Sequence, residues 1–181
     1  TNANSAIFAT TPTAHAAVLS TAMVQAAVYD AVNAIAGGYR PYLPTTVRAD
    51  PFYSQDAAAA TAAFRVAAAL APSQLSVLQA KYVASLAAIP DGPAKAGGIG
   101  VGEAAATAIL AARANDGRNP SSAFPFVFGT TPGVWRKSPP LFGVDPTPWV
   151  GDVRPFLLPD AAMLRSDGPN KLTSFAYAIE F

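Results

Sequence analysis

Cysteine is absent from the 181 residues, which excludes disulfides and thiolate chemistry and leaves the redox compartment undetermined. Histidine occurs once, as His15, so the chain cannot on its own supply a reaction that needs two imidazoles. Charge is also scarce: charged residues make up 13%, with a net charge of +1. No basic stripe suits nucleic acid, and no acidic tail marks a solvating segment. Carboxylates are scattered, so no metal site is expected. No charge-free run is long and apolar enough for a bilayer, so the reading is a soluble chain without a membrane partner. Residues 1–8 lack a basic region followed by an apolar core. They are no intact signal peptide, and a mature exported protein would look the same after cleavage.

What is present is alanine and helical punctuation. The hydrophobic share is 51%, although alanine supplies much of it and gains little per residue on burial. From Leu19 to Ile35, Val24, Val28, Val32 and Ile35 repeat at helical spacing. Thr21, Gln25, Tyr29 and Asn33 form a polar line beside them. Asp30 lies between the two lines, and a carboxylate on a mostly apolar helix needs a partner. Arg40, just past the Gly37-Gly38 stop, is the nearest basic residue, and the expected arrangement is a structural ion pair, Asp30 with Arg40.

Thr11-Pro12 predicts a helix from about residue 12 to 36, and Asp50-Pro51 predicts one over residues 52–71. Leu75, Leu78, Tyr82, Leu86 and Ile89 give the clearest amphipathic pattern, and a further helix is expected over residues 93–114. That helix opens on Gly97-Gly98-Ile99-Gly100-Val101-Gly102. Neither a dinucleotide fingerprint nor a P-loop is completed there. The glycines instead predict a close helix–helix contact, with Gly98, Gly102 and Ala106 on one face. Asn115-Asp116-Gly117 closes the helix.

From Arg118 the character changes to proline, glycine and aromatics, including Phe124-Pro125-Phe126-Val127-Phe128-Gly129 and Pro146-Thr147-Pro148-Trp149. Such a segment should be ordered, wrapping a surface with its rings. Within it, Trp135, Arg136 and Lys137 set two cations beside a large aromatic in a glycine-proline loop, and are the candidate substrate-binding residues. The organisation expected is all-α: a helical bundle portion over 1–117, the wrapping segment over 118–169, and the start of a further helix over 170–181. That last pattern is cut off in mid-course, which suggests that the chain continues in the gene or the intact molecule.

Five stretches together point to a family. Tyr29-Asp30-Ala31-Val32-Asn33-Ala34-Ile35, Ser85-Leu86-Ala87-Ala88-Ile89-Pro90-Asp91-Gly92, Arg113-Ala114-Asn115-Asp116-Gly117, Pro132-Gly133-Val134-Trp135-Arg136 and Arg154-Pro155-Phe156-Leu157-Leu158 occur in this order. In this the chain resembles the vanadium-dependent haloperoxidases, which share their active-site architecture with the type 2 phosphatidic acid phosphatases. The resemblance implies a larger fold of two packed helical bundles, of which this chain is the amino-terminal half. It also implies a histidine-bound vanadate in the parent protein, oxidising halide with hydrogen peroxide.

The family builds that site from Lys-x6-Arg-Pro, Ser-Gly-His and Arg-x5-His segments, none of which is found here. The Arg40-Pro41 and Arg154-Pro155 pairs have Asn33 and Thr147 where the lysine should stand. No catalytic residue and no cofactor site is therefore expected in this chain. The implied partner is the carboxy-terminal half of the same protein, or a second copy. Two alternatives stay open: a portion of a related acid-phosphatase-type phosphohydrolase, and a non-catalytic helical module that binds through its aromatic-proline tail.

Overall fold

Alanine decides how this chain packs, because helices faced with small side chains approach closely and leave their larger residues at the rim. The computed structural model describes residues 2–10, 13–118, 129–131, 134–145, 147–168 and 170–180. Among them the fold is all-α, with no strand. The helices are α1 (Asn2–Thr10), α2 (Ala14–Ala36), α3 (Gln55–Leu70), α4 (Leu75–Ala87), α5 (Pro93–Ala112) and α6 (Phe175–Glu180). Short 3₁₀ turns cover Pro72–Gln74 and Pro148–Asp152.

The core lies where α2, α3 and α5 pack on one another, with α1 and α4 closing one side. The close α3–α5 approach expected from the glycines is present. A Cβ on Gly98 would lie 2.2 Å from the Ser54 carbonyl oxygen, and one on Gly102 would lie 2.5 Å from that of Ala58. Opposite Gly102, the buried Thr61 hydroxyl donates to the Ala57 carbonyl at 2.7 Å and meets the Tyr82 hydroxyl of α4 at 3.0 Å. The Tyr82 ring stacks on Phe64, with centroids 4.5 Å apart and planes 4° from parallel.

Several boundaries differ from the sequence reading. The helix expected over 12–36 is α2, which begins at Ala14, where the Thr13 hydroxyl accepts from the Ala16 N–H, and it is preceded by an unexpected helix, α1, that buries Ala6 and Ile7. The Thr11-Pro12 start signal lies outside the described residues. Asp50 is not the cap of α3. Its carboxylate accepts from the Phe52 N–H in a local turn, and Ser54 caps instead, accepting from Ala57. On α2 the inward face is Met23, Val24, Ala27, Asp30, Ala31, Ala34 and Ile35, while Val28 and Val32 are only half-buried. Small residues take the side that α3 and α5 approach, and the valines sit at the edge. On α4 only Leu78 is fully buried, and Leu75 is exposed.

By length and composition alone, α2, with 23 residues and a mean hydropathy of 1.3 over its most apolar window, is long and apolar enough to cross a bilayer, although that window includes the charge of Asp30. Half of that window is buried against the other helices, as in the core helix of a bundle.

Part of the proline-rich region packs on the bundle. Trp149 and Val153 cover Ala16 and Leu19 of α2, and Phe156 lies 6.1 Å from Tyr42 between ring centroids. The Phe124–Phe128 run lies outside the described residues. The last helix, Phe175–Glu180, begins later than the expected residue 170, and its Phe175 and Ile179 are exposed.

Candidate functional site

Two buried charged side chains of opposite sign organise the loops on one side of α2. The first is Asp30, 2% exposed near the end of that helix. Its carboxylate accepts the backbone N–H of Tyr42 at 2.7 Å, that of Leu43 at 3.0 Å and the Thr46 hydroxyl at 3.0 Å. The carboxylate thus ties the helix to the loop that follows, as expected, but the partner is different. Backbone donors and a hydroxyl take the place of the Arg40 guanidinium, because the bend at Tyr42 and Leu43 turns their consecutive N–H groups toward the helix. Three donors compensate the buried charge without a cation. Arg40 contributes its carbonyl oxygen, which accepts from the Tyr29 hydroxyl at 2.7 Å. Asn33 holds the same loop one turn further on, donating to the Tyr39 carbonyl at 2.9 Å and accepting from its N–H.

The second is Arg113, 1% exposed at the end of α5. Its Nε lies 2.8 Å from Asp116 Oδ2 in an ion pair buried on both sides, without alignment for a hydrogen bond. The terminal nitrogens donate to the carbonyls of Arg154 at 2.7 Å and Pro155 at 3.2 Å. The guanidinium carbon sits 3.8 Å from the centre of the Phe156 ring, a cation–π contact. Asp116 also receives Arg118 at 2.9 Å, and its carbonyl accepts the Arg154 N–H at 2.8 Å. At Gly117, with φ of 89°, a Cβ would meet the Asp152 carbonyl oxygen at 2.7 Å, so glycine permits this crossing of chains.

The two anchors fix the facing walls of one cleft, with a volume of about 630 Å³. Tyr29 and Gln25 of α2 form its floor, Arg40 and Tyr42 one wall, and Phe156 and Leu157 the other. A second, almost wholly apolar hollow of about 340 Å³ lies along Val28, Val32 and Tyr39 and shares Tyr29 with it.

The candidate binding residues Trp135, Arg136 and Lys137 do not line this cleft. All three are exposed, Trp135 by 43%, and the Trp135 carbonyl accepts the Gly129 N–H at 3.3 Å. Sequence reasoning missed the cleft because its walls come from positions more than 100 residues apart. The Arg113/Asp116 spacing of three along one helix end was the one local signal of the second anchor.

His15, on the first turn of α2, bonds Thr147 Oγ1 through Nδ1 at 2.9 Å, and Thr147 also draws on Asp145. The residues described do not suit vanadate. The one imidazole engages Thr147, and Arg113 and Arg118 both engage Asp116. Among the described residues no group of three or more His, Asp or Glu side chains is placed to hold a metal ion. No protein-family model, no curated protein and no solved structure matches the chain.

Proposed function

We propose that this chain is the amino-terminal scaffold portion of a vanadium-dependent haloperoxidase-like enzyme, with the catalytic residues lying outside it. One observation carries the reading. Three of the five stretches behind the resemblance, around Tyr29–Ile35, Arg113–Gly117 and Arg154–Leu158, meet at the two anchors and the cleft between them. Their chemistry there is architectural. Asp30 and Arg113 satisfy backbone groups, and their side-chain partners, the Thr46 hydroxyl and the Asp116 carboxylate, are themselves held in these anchoring contacts.

In this reading the chain contributes a wall and a support, and vanadate is held elsewhere in the parent protein. The partner is the carboxy-terminal half of that protein or a second copy. It would cover apolar side chains now open to solvent, among them Leu141, 89% exposed, and Phe175, 80% exposed.

The test compares the protein encoded by the whole reading frame with the 181-residue chain, each supplied with orthovanadate, hydrogen peroxide and bromide. Bromide oxidation is expected from the former and none from the latter. Oxidation by the short chain alone, or no vanadate-dependent oxidation by either, overturns the proposal. Hydrolysis of p-nitrophenyl phosphate by the whole protein without halide oxidation would assign the parent to the phosphohydrolases instead.

A further inference from the structure

The cleft between the two anchors has features that a purely architectural junction does not need. Three aromatic rings converge on it, and each has a contact that holds it. The Tyr29 hydroxyl is tied to the Arg40 carbonyl. Tyr42 has its backbone N–H on the buried Asp30 and its ring 6.1 Å from that of Phe156 between centroids. Phe156 lies on the buried Arg113 guanidinium. The rings therefore meet an incoming group without having to be ordered first, which removes part of the cost of binding.

The polar character of the lining is one-sided. Among the described residues that line the cleft, Arg40 is the one charged side chain; Gln25 adds an amide, and the tyrosines add hydroxyls, of which that of Tyr29 is committed to the Arg40 carbonyl. A lining of aromatic surface with a few polar groups is what a small-molecule site requires. One guanidinium and one amide match a single carboxylate, which a guanidinium can hold through two parallel N–H bonds. A phosphate dianion would set two negative charges against the one cation of this lining.

We propose that the cleft binds a small aromatic carboxylate, its ring against Tyr29, Tyr42 and Phe156 and its carboxylate on Arg40. The site is independent of the scaffold reading, since binding requires neither vanadate nor a partner half.

Titration calorimetry with 2-naphthoate, and with 2-naphthamide as its uncharged counterpart, tests the assignment on the 181-residue chain. Naphthoate is expected to bind saturably, and the amide at least tenfold more weakly. Arg40→Gln should weaken naphthoate at least tenfold and leave the amide unchanged, since the exposed Arg40 side chain takes no part in Asp30 anchoring. Its thermal midpoint should match that of the parent chain. Tyr42→Leu, which keeps the backbone N–H to Asp30, should weaken both ligands. Equal affinity for acid and amide, an unchanged Arg40→Gln, or no saturable binding at millimolar naphthoate overturns the proposal, whatever the halide assay returns.

Discussion

Asp30 and Arg113 show how a buried charge is made tolerable by backbone rather than by an opposing side chain alone. Asp30→Asn keeps the shape but replaces one acceptor oxygen with an NH₂ group that faces a backbone N–H. A loss of about 2 kcal/mol is expected, the scale of a charge-assisted hydrogen bond replaced by an unsatisfied donor. Equilibrium urea unfolding measures it, and an unchanged midpoint would show that the Tyr42 and Leu43 bonds are not holding the loop. Arg113→Met should lose about 3 kcal/mol, because Asp116 keeps Arg118 while two carbonyls lose their donor. The need for a partner at Asp30 was legible in the sequence, and the partner was not. Side-chain charges can be read directly along a chain, whereas backbone donors turned inward by the bend at Tyr42 and Leu43 appear only once the loop has folded.

The α3–α5 contact makes two glycines of one helix respond in opposite directions. Gly102→Ala puts a methyl 2.5 Å from the Ala58 carbonyl oxygen and should destabilise despite alanine's better helix propensity. Gly100 has nothing within 4 Å of the same position, and Gly100→Ala should stabilise by about 0.5–1 kcal/mol. Paired thermal scans decide the matter, and equal shifts would contradict the close approach. At the start of the same helix, Lys95 donates a hydrogen bond to Asp91 and attracts its charge, holding that carboxyl below its ordinary value of 3.8. The pair's contribution is therefore present at neutral pH and is lost as acid titrates Asp91 below that value. Carbon-detected NMR of the Asp91 carboxyl should give a midpoint under 3.8, moving up in Lys95→Met.

Helix stops were well marked, as Gly37 shows with φ of 71°. Starts were less so, since Asp50-Pro51 and Ser54 both offer a capping oxygen and only the approach of α5 selects between them. The Ser54 N–H bonds the Ala94 carbonyl, which places Ser54 at the helix mouth. α1 escaped notice for a different reason. Its nine residues carry no repeating bulky stripe, and tertiary burial of Ala6 and Ile7 holds it in place.

For the whole molecule, the balance of small buried residues against large exposed ones is the governing fact. Alanine fills much of the core, while Phe52, Leu141, Leu157 and Phe175 are each at least 80% exposed. A surface of this kind favours association with a partner. Sedimentation of the 181-residue chain at micromolar concentration should show a soluble assembly of more than one chain, and a stable species at 18.5 kDa would refute that expectation. Part of the proline-rich region packs on the bundle through Trp149, Val153 and Phe156. Which rings do so was not legible in the sequence, since Trp149 and Phe156 find their places against α2 and Arg113 only through long-range contact.

The segment between α2 and α3 leaves the helix at Gly37 and comes back to it, for the Ala49 N–H donates to the Ala34 carbonyl at 2.8 Å. With both ends seated on one helix and its middle fastened to Asp30, it is an Ω-loop that can open as a unit. In hydrogen–deuterium exchange, the Tyr42 and Leu43 amides share one acceptor group and should therefore exchange together, slowly and at a common rate. Their solvent-facing neighbours Thr45 and Val47 should exchange within the dead time. A protease that cuts between residues 44 and 48 would accordingly leave a nicked chain that stays folded, its two ends gripped by the same helix.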